Sequence, residues 1–340
     1  MPLIRIGCPQ KAKQAEIKSL LDATHRAVLS AFKVPSNARL IRLSVLSGVV
    51  SLDPFMRGRM NDRKSYAKPL QVGDVMVGEA VARVIASHHP DYSEGDIVLA
   101  HTGWRTHALS DGAGLRKLDP GGPVTTRLSV FGMPGFTAYS GLRVIGKPQP
   151  GKTVVVAAAS GRVGSLIGQL AKMAGAIGIA GGPEKCAFVK NELRFDAAID
   201  HRATDFPNQL AGACPDGIDV YFENVGGAIW QAVLPLLNAR VPISGLIAQY
   251  NGVGHGDGID RLPATMREIL SKSLTLRGFR NYDFAGQHYA EFLREVGAGI
   301  ADGRIRYREE IVDHLEKAPE AFIGMLDGHN FGKTIVRAAA

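Results

Sequence analysis

The chain has 340 residues, 45% of them hydrophobic, with near-zero mean hydropathy, which is enough to bury two cores. No apolar run approaches the ~20 residues of a membrane span, and no charged start, apolar core and small-residue cleavage site marks a signal peptide, so the expected setting is the cytoplasm. The formal net charge of +8 comes from 40 basic and 32 acidic residues mixed along the chain with no basic stripe, which argues against nucleic acid and suits a field that attracts a polyanionic cofactor.

In chain order, MPLIRIG reads as a strand. An amphipathic helix follows, with Ile17, Leu20, Leu21, Thr24, Ala27, Val28, Ala31 and Phe32 on one face, and VPSNARLIRLSVL reads as a second strand. These elements form a βαβ unit over residues 1–46. Residues 51–120 differ: short β-rich runs (DVMVGEAVARVIAS, GDIVLAHTGWRTHAL) alternate with glycine, proline and other turn residues, as in a small antiparallel barrel. Cys8, Cys186 and Cys214 are far apart with no CxxC, so they support neither a disulfide framework nor a cysteine zinc site.

From about residue 125 strand and helix signals alternate. Strands are expected at 153–158, 176–180, 196–200, 218–223, 241–248 and 273–279, and helices at 163–174, 184–193, 203–212, 227–237 and 262–271. This order predicts an α/β doubly wound parallel sheet, with ligands beyond the carboxyl ends of its strands. A helix at 286–301 and a strand–helix–turn–strand tail follow, the tail packing back on the barrel.

The densest signal lies in TVVVAAASGRVGSLIGQLAK, residues 153–172. Val154, Val155 and Val156 suit a strand buried on both faces. Ala159, Gly161 and Gly164 occupy the three positions of a GxGxxG fingerprint, so the chain can turn tightly, approach a pyrophosphate and let helix pack on strand. The helix N-terminus, with its free N–H groups and positive dipole end, faces the phosphates. After the next strand comes GGPEKC, where a basic residue accommodates the 2′-phosphate of NADP and an acidic one selects NAD. Lys185 argues for NADP, and Glu184, beside a proline, is the competing signal.

With these motifs in hand, residues 51–337 resemble the zinc-independent medium-chain dehydrogenase/reductases, in the group of prostaglandin reductases, leukotriene B4 dehydrogenases and alkenal double-bond reductases. The matching runs, in the family's order, are SLDPFMRGRM, GMPGFTAYSGL, AAASGRVGS, AGGPEKC, DVYFENVGG, GLIAQYN and NFGK. The resemblance implies a Rossmann sheet over 125–301 and a GroES-like substrate domain from 47–124 and 302–340. It implies NADPH-dependent reduction of the C=C bond of α,β-unsaturated aldehydes or ketones by hydride transfer to the β-carbon, in a homodimer. The alternative reaction is NADPH quinone reduction.

Position by position, the resemblance implies that Gly161, Arg162, Val163 and Gly164 hold the pyrophosphate. Lys185 would hold the 2′-phosphate, with His201 where the family usually has a tyrosine. Asn224, Ser244, Gly245, Leu246, Ile247, Ala248, Gln249 and Tyr250 would line the nicotinamide half, with Phe279, Arg280 and Asn281 at the carboxamide. Asn330 would close the site, and Met133 and Thr137 would border the same pocket. Tyr250 is the candidate catalytic donor to the enolate oxygen. Phe55, Met56, Tyr66 and Tyr139 would form the substrate pocket, under a glycine-rich lid at 251–260. Phe55 stands where relatives often place tyrosine. Plainer readings fit the same residues: Asn224 as a turn former, Tyr250 as a packed aromatic, Asn330 as a loop residue, Lys185 as an exposed lysine.

Zinc members of the superfamily carry GHE on a barrel strand, and here VGEAVARV puts Gly78 at the histidine position, with no cysteine from 9 to 185. No metal is therefore expected, and the ten histidines, His88 and His89 included, lack ligand spacing. The N-terminal unit departs from the family and resembles the start of a 4-oxalocrotonate tautomerase-type protein. There Pro2 would be the general base after loss of the initiator methionine, which adds a bifunctional protein to the alternatives. AGAIGIAGG and LLNARVPISG each run a few residues shorter than the family pattern.

Overall fold

The computed structural model describes residues 40–62, 65, 67–119, 121–172, 174–252 and 259–338. Pro2, Cys8 and nearly all of the expected N-terminal βαβ unit lie outside the described residues, as do Tyr66 and residues 253–258 of the expected lid.

The barrel portion opens with β1 (Ile41–Ser51), followed by a short α1 (Phe55–Gly58), β2 (Ala80–Ser87), β3 (Ile97–Ala100), β4 (His107–Ser110) and β5 (Arg116–Lys117). The second portion comprises α2 (Met133–Ser140), β6 (Thr153–Val156), α3 (Gly164–Leu170), β7 (Gly175–Ala180), α4 (Pro183–Ala187) and β8 (Ala197–Asp200). It continues with α5 (Phe206–Ala213), β9 (Ile218–Phe222), α6 (Gly227–Val233), β10 (Leu237–Ile243), α7 (Leu262–Ser271), β11 (Thr275–Gly278) and α8 (Ala285–Ala301). The chain then returns to the barrel with β12 (Glu309–Asp313), α9 (Ala318–Leu326) and β13 (Lys333–Arg337). Among the described residues no helix is long and apolar enough to cross a membrane.

β1 crosses the boundary expected at residue 46. Ile41, Leu43 and Val45 are buried, so this strand faces the barrel core, and it pairs antiparallel with β2, β4 and β13. Gly48 lets it do so: a Cβ there would sit 1.9 Å from the Val81 carbonyl oxygen, next to the register shift that bends β1 between partners. The first sheet runs β12-β13-β1-β2-β3-β5, with β4 on β1. Among the described residues only β12–β13 is parallel within it.

The second sheet is parallel throughout, in the order β11-β10-β9-β6-β7-β8. Its order reverses at β6, which pairs with β7 on one side and β9 on the other, and this reversal makes the crevice of a doubly wound fold. Val154, Val155 and Val156 are fully buried, each contributing about 1.5–3 kcal/mol of apolar burial. One face packs on α2 and α8 through Phe136, Tyr139, Tyr289 and Phe292, whose ring centroids lie 5.1–5.6 Å apart. β10 begins at Leu237, earlier than the expected 241–248, with a register shift against β9 before Arg240.

Candidate active site

A cleft of about 1300 Å³ lies between the carboxyl end of the parallel sheet and the barrel sheet. Its floor is the turn from β6 to α3. Here the left-handed residue is Ala158, with φ 52°, one position before the expected first fingerprint residue. Ala159 instead donates its N–H to the Ile179 carbonyl on β7. A Cβ on Gly164 would come within 2.3 Å of the Ala158 oxygen and 2.8 Å of the Ala159 Cα, so the helix enters this close only on glycine. Gly161, Arg162, Val163 and Gly164 all line the cleft.

The outer end is cationic. β7 ends at Ala180, and a Cβ on the next residue, Gly181, would lie 3.0 Å from His201 Nε2 and 3.2 Å from Arg202 Nε. Lys185, on α4, donates to the Gly328 carbonyl at 2.8 Å, and the Lys185 ammonium stands 6.0 Å from the Phe331 ring centroid. Burial and then the Arg202 charge hold Lys185 below the ordinary lysine range, and the same two causes hold His201 below the ordinary imidazole range. Asp200 braces the turn: its Oδ1 accepts the main-chain N–H groups of Gly182 and Arg202.

The inner end is neutral and hydrogen-bonded. Glu223, buried at the end of β9 and raised in pKa by that burial, accepts the N–H groups of Val225 and Gly226. That clamp presents Asn224, which donates to the Ala157 carbonyl at 2.8 Å and accepts from the Ser244 hydroxyl at 2.5 Å. Asn281 donates to the Met133 carbonyl and to Thr137 Oγ1, both at 3.1 Å, tying the segment after β11 to α2. The Tyr250 hydroxyl accepts the Leu246 N–H at 3.3 Å, and among the described residues its own proton has no acceptor.

The barrel wall carries charges of its own. Asp53 is buried between Lys333 Nζ at 3.3 Å and Arg162 at 3.2 Å, and Ser51 donates to it. Burial alone would raise this carboxyl, but Lys333, Arg162 and Ser51 outweigh it and hold it below the ordinary range. Lys333 is lowered to about 8 because burial outweighs the attraction of Asp53, with Arg162 adding its repulsion. Glu79, beside them on the cleft wall, is pushed up to about 7 by burial and by Asp53, against Lys333 and Arg116.

Most residues expected at the site meet in this one cleft: Phe55, Met133, Thr137, Lys185, His201, Asn224, Ser244, Gly245, Ile247, Ala248, Tyr250, Phe279, Arg280, Asn281 and Asn330 line it with the glycine turn. Four do not. Met56 is fully buried in an apolar cluster with Leu52, Phe322 and Met325, facing the core side of α1. Tyr139 is buried against Phe292, because α2 turns it inward. Leu246 and Gln249 lie against Gly226, within 3.2–3.3 Å of where its Cβ would be. Arg162 contributes main chain to the turn while its guanidinium points at Asp53, and Asn330 donates to Gly332 in its own loop.

Arg202, Glu79, Arg59 and Arg105 also line the cleft and were not expected there. Arg202 had a signal: it follows His201 directly at the end of a parallel strand. The other three sit on barrel loops and strand ends whose direction no periodicity reveals. Among the described residues no group of three His, Cys, Asp or Glu side chains stands together to hold a metal ion. The glycine approach at Gly164 and the cations around Gly181 fit a dinucleotide with a phosphate on its adenosine ribose.

Two family models match the chain, "N-terminal domain of oxidoreductase" over residues 39–118 and "Zinc-binding dehydrogenase" over residues 193–336. The chain is 51% identical to the NADPH-dependent curcumin reductase of Escherichia coli, over 85% of this chain and 86% of that protein. It is 41% identical to prostaglandin reductase 1 of Rattus norvegicus, over 85% of this chain and 87% of that one. The crystal structure of CurA from Vibrio vulnificus in complex with NADPH superposes with a TM-score of 0.85 at 49% identity, covering 90% of this chain and 92% of that one.

Proposed function

The chain belongs to the zinc-independent medium-chain dehydrogenase/reductases, in the prostaglandin and alkenal reductase group, and from that premise we propose that it is an NADPH-dependent reductase of the C=C bond in α,β-unsaturated aldehydes and ketones. The observation that carries the reading is a single cleft holding a cationic, glycine-floored end and a neutral end with a free hydroxyl proton.

Bound reduced nicotinamide supplies a hydride; the protein supplies position and electrostatics. The main chain of Gly161, Val163 and Gly164 holds the pyrophosphate, and Lys185, His201 and Arg202 hold the 2′-phosphate. Asn224, locked by Ala157 and Ser244, and Asn281, locked by Met133 and Thr137, fix the inner wall against which the nicotinamide half rests. Tyr250 donates to the substrate carbonyl oxygen, where negative charge gathers as the double bond is reduced, and passes on the proton that ends at the α-carbon. Phe55 and Met133 give the substrate an apolar seat.

Consumption of NADPH, measured with a panel of enones and quinones, tests the reading. Enones turning over faster than quinones support it; quinone turnover alone sinks it.

We propose further that a second copy packs along β11. That strand is the sheet edge among the described residues, and Leu262, Met266 and Leu270 on the neighbouring α7 are 63, 55 and 83% exposed. The assembly is then a homodimer, and sedimentation at micromolar concentration tests it: a monomer throughout would contradict it.

A further inference from the structure

Two cations, Arg202 and Lys185, converge with the His201 imidazole where the parallel sheet gives out, and their arrangement separates their roles. The Arg202 guanidinium spreads over the turn after β7: a Cβ on Gly181 would lie 3.2 Å from its Nε and 3.4 Å from its Cζ, one on Gly182 would lie 3.9 Å from Nη1, and one on Gly328 would lie 3.8 Å from Nη2. This places the fork across the gap between the β7–α4 turn and the loop after α9. Among the described residues the guanidinium makes no hydrogen bond or ion pair, and Asp200, its nearest acid in sequence, is occupied by main-chain N–H groups. Lys185, in contrast, already gives a proton to the Gly328 carbonyl at 2.8 Å.

We propose that Arg202 is the residue that selects the 2′-phosphate of NADPH, with Lys185 in the lesser role. The inference rests on the NADPH reading above and adds which side chain carries it. The end of the second strand of a doubly wound sheet is where the adenosine ribose lies, and this chain puts Gly181 and Gly182 there, while the nearest acid along the loop, Glu184, is exposed and does not line the cleft. A guanidinium fork presents parallel N–H donors to two phosphate oxygens at once, whereas an ammonium is a point charge. Like charges this close repel one another, which is why Arg202 depresses both Lys185 and His201, and a dianion between them turns that repulsion into attraction.

Calorimetric binding of NADPH, NADH and 2′,5′-ADP to the full chain, with no substrate present, reads this directly. Arg202→Gln is expected to lose NADPH and 2′,5′-ADP affinity by roughly 10- to 100-fold while NADH affinity moves less than about threefold. Arg202→Lys recovers part of the loss, and Lys185→Gln loses less than Arg202→Gln. A wild type that prefers NADPH, with a preference that survives in Arg202→Gln or falls further in Lys185→Gln, overturns the assignment. A wild type with no preference for NADPH overturns the cofactor reading and the assignment together.

Discussion

Arg162, in the middle of the glycine turn that floors the cleft, reaches out of its own sheet to Asp53, 3.2 Å away at the end of the barrel's first strand. Asp53 is also the ion-pair partner of the buried Lys333 on β13. Two cations thus share one carboxylate at the seam of the two sheets, and this explains why Asp53 is held low while Lys333 is not held high. The parallel bridge between Gly161 and Gly332 runs beside the same seam.

The shared carboxylate predicts unequal mutants. Asp53→Asn leaves Lys333 buried at 1% exposure without its counter-ion, and is expected to cost about 3 kcal/mol or more in chemical unfolding. Arg162→Gln leaves the Asp53–Lys333 pair in place and is expected to cost about 1 kcal/mol. Because Asp53 is depressed, its contribution is present above the ordinary carboxylate range and is lost as pH falls through the folded value. Equal losses from the two substitutions would contradict this division.

Glu79 gives the opposite pH signature. Its carboxyl titrates near 7 in place of 4.5, so across that window the folded protein keeps a proton that the unfolded chain releases. Stability from this group falls as pH rises over the window and levels off above it. Glu79→Gln is expected to gain about 2 kcal/mol at pH 8 and to match the parent near pH 4, measured by urea unfolding at both values. A variant no more stable than the parent at pH 8 would refute the burial argument.

The close helix entry at Gly164 makes a sharp test of the floor. Gly164→Ala places a methyl 2.3 Å from a main-chain oxygen, which the turn can accept only by moving. NADPH affinity, by fluorescence titration, is expected to fall at least roughly tenfold, with a loss of about 1–3 kcal/mol in stability. Unchanged affinity would mean that the turn is not the pyrophosphate seat.

His201 predicts a proton linkage. Burial and Arg202 keep its imidazole below the ordinary range, with Lys185 adding to the depression and Asp200 opposing it. A 2′-phosphate beside it raises that value, so binding takes up protons and NADPH affinity tightens as pH falls through the imidazole range. Calorimetry in two buffers of different ionisation enthalpy is expected to show more proton uptake with NADPH for the parent than for His201→Gln, the difference isolating the imidazole from the phosphate, which itself releases protons on meeting cations, and no such difference with NADH.

Much of this site could be read along the chain because its parts are local. The β6 run, the glycine turn, Lys185 and the fully coincident α7 each follow from residues close in sequence. What escaped was direction and partnership across the fold. Met56 and Tyr139 lie in the right segments but face the core, since a short helix turns neighbouring side chains to opposite sides. The start of β1 reads as part of the preceding unit because its strand signal runs on from it unbroken, and its antiparallel pairing with β2 and β4 shows where it belongs. β10 starts before its expected range for a related reason: the exposed Asn238 and Arg240 interrupt the apolar run, and the pairing of Leu237 and Arg240 with β9 shows that the strand begins there.

Tyr250 is the donor in this account, and removing its hydroxyl separates chemistry from binding. Tyr250→Phe is expected to lower kcat for an enone by about 10- to 100-fold while NADPH affinity stays within about twofold. Loss of affinity with kcat preserved would instead assign the ring a packing role.

The most direct measurement is the identity of the product. With NADPH and a 2-alkenal, nuclear magnetic resonance of the reaction mixture is expected to show the saturated aldehyde, its new hydrogens at the α- and β-carbons. Formation of the unsaturated alcohol, with the double bond intact, would contradict reduction at the C=C bond and with it the central claim.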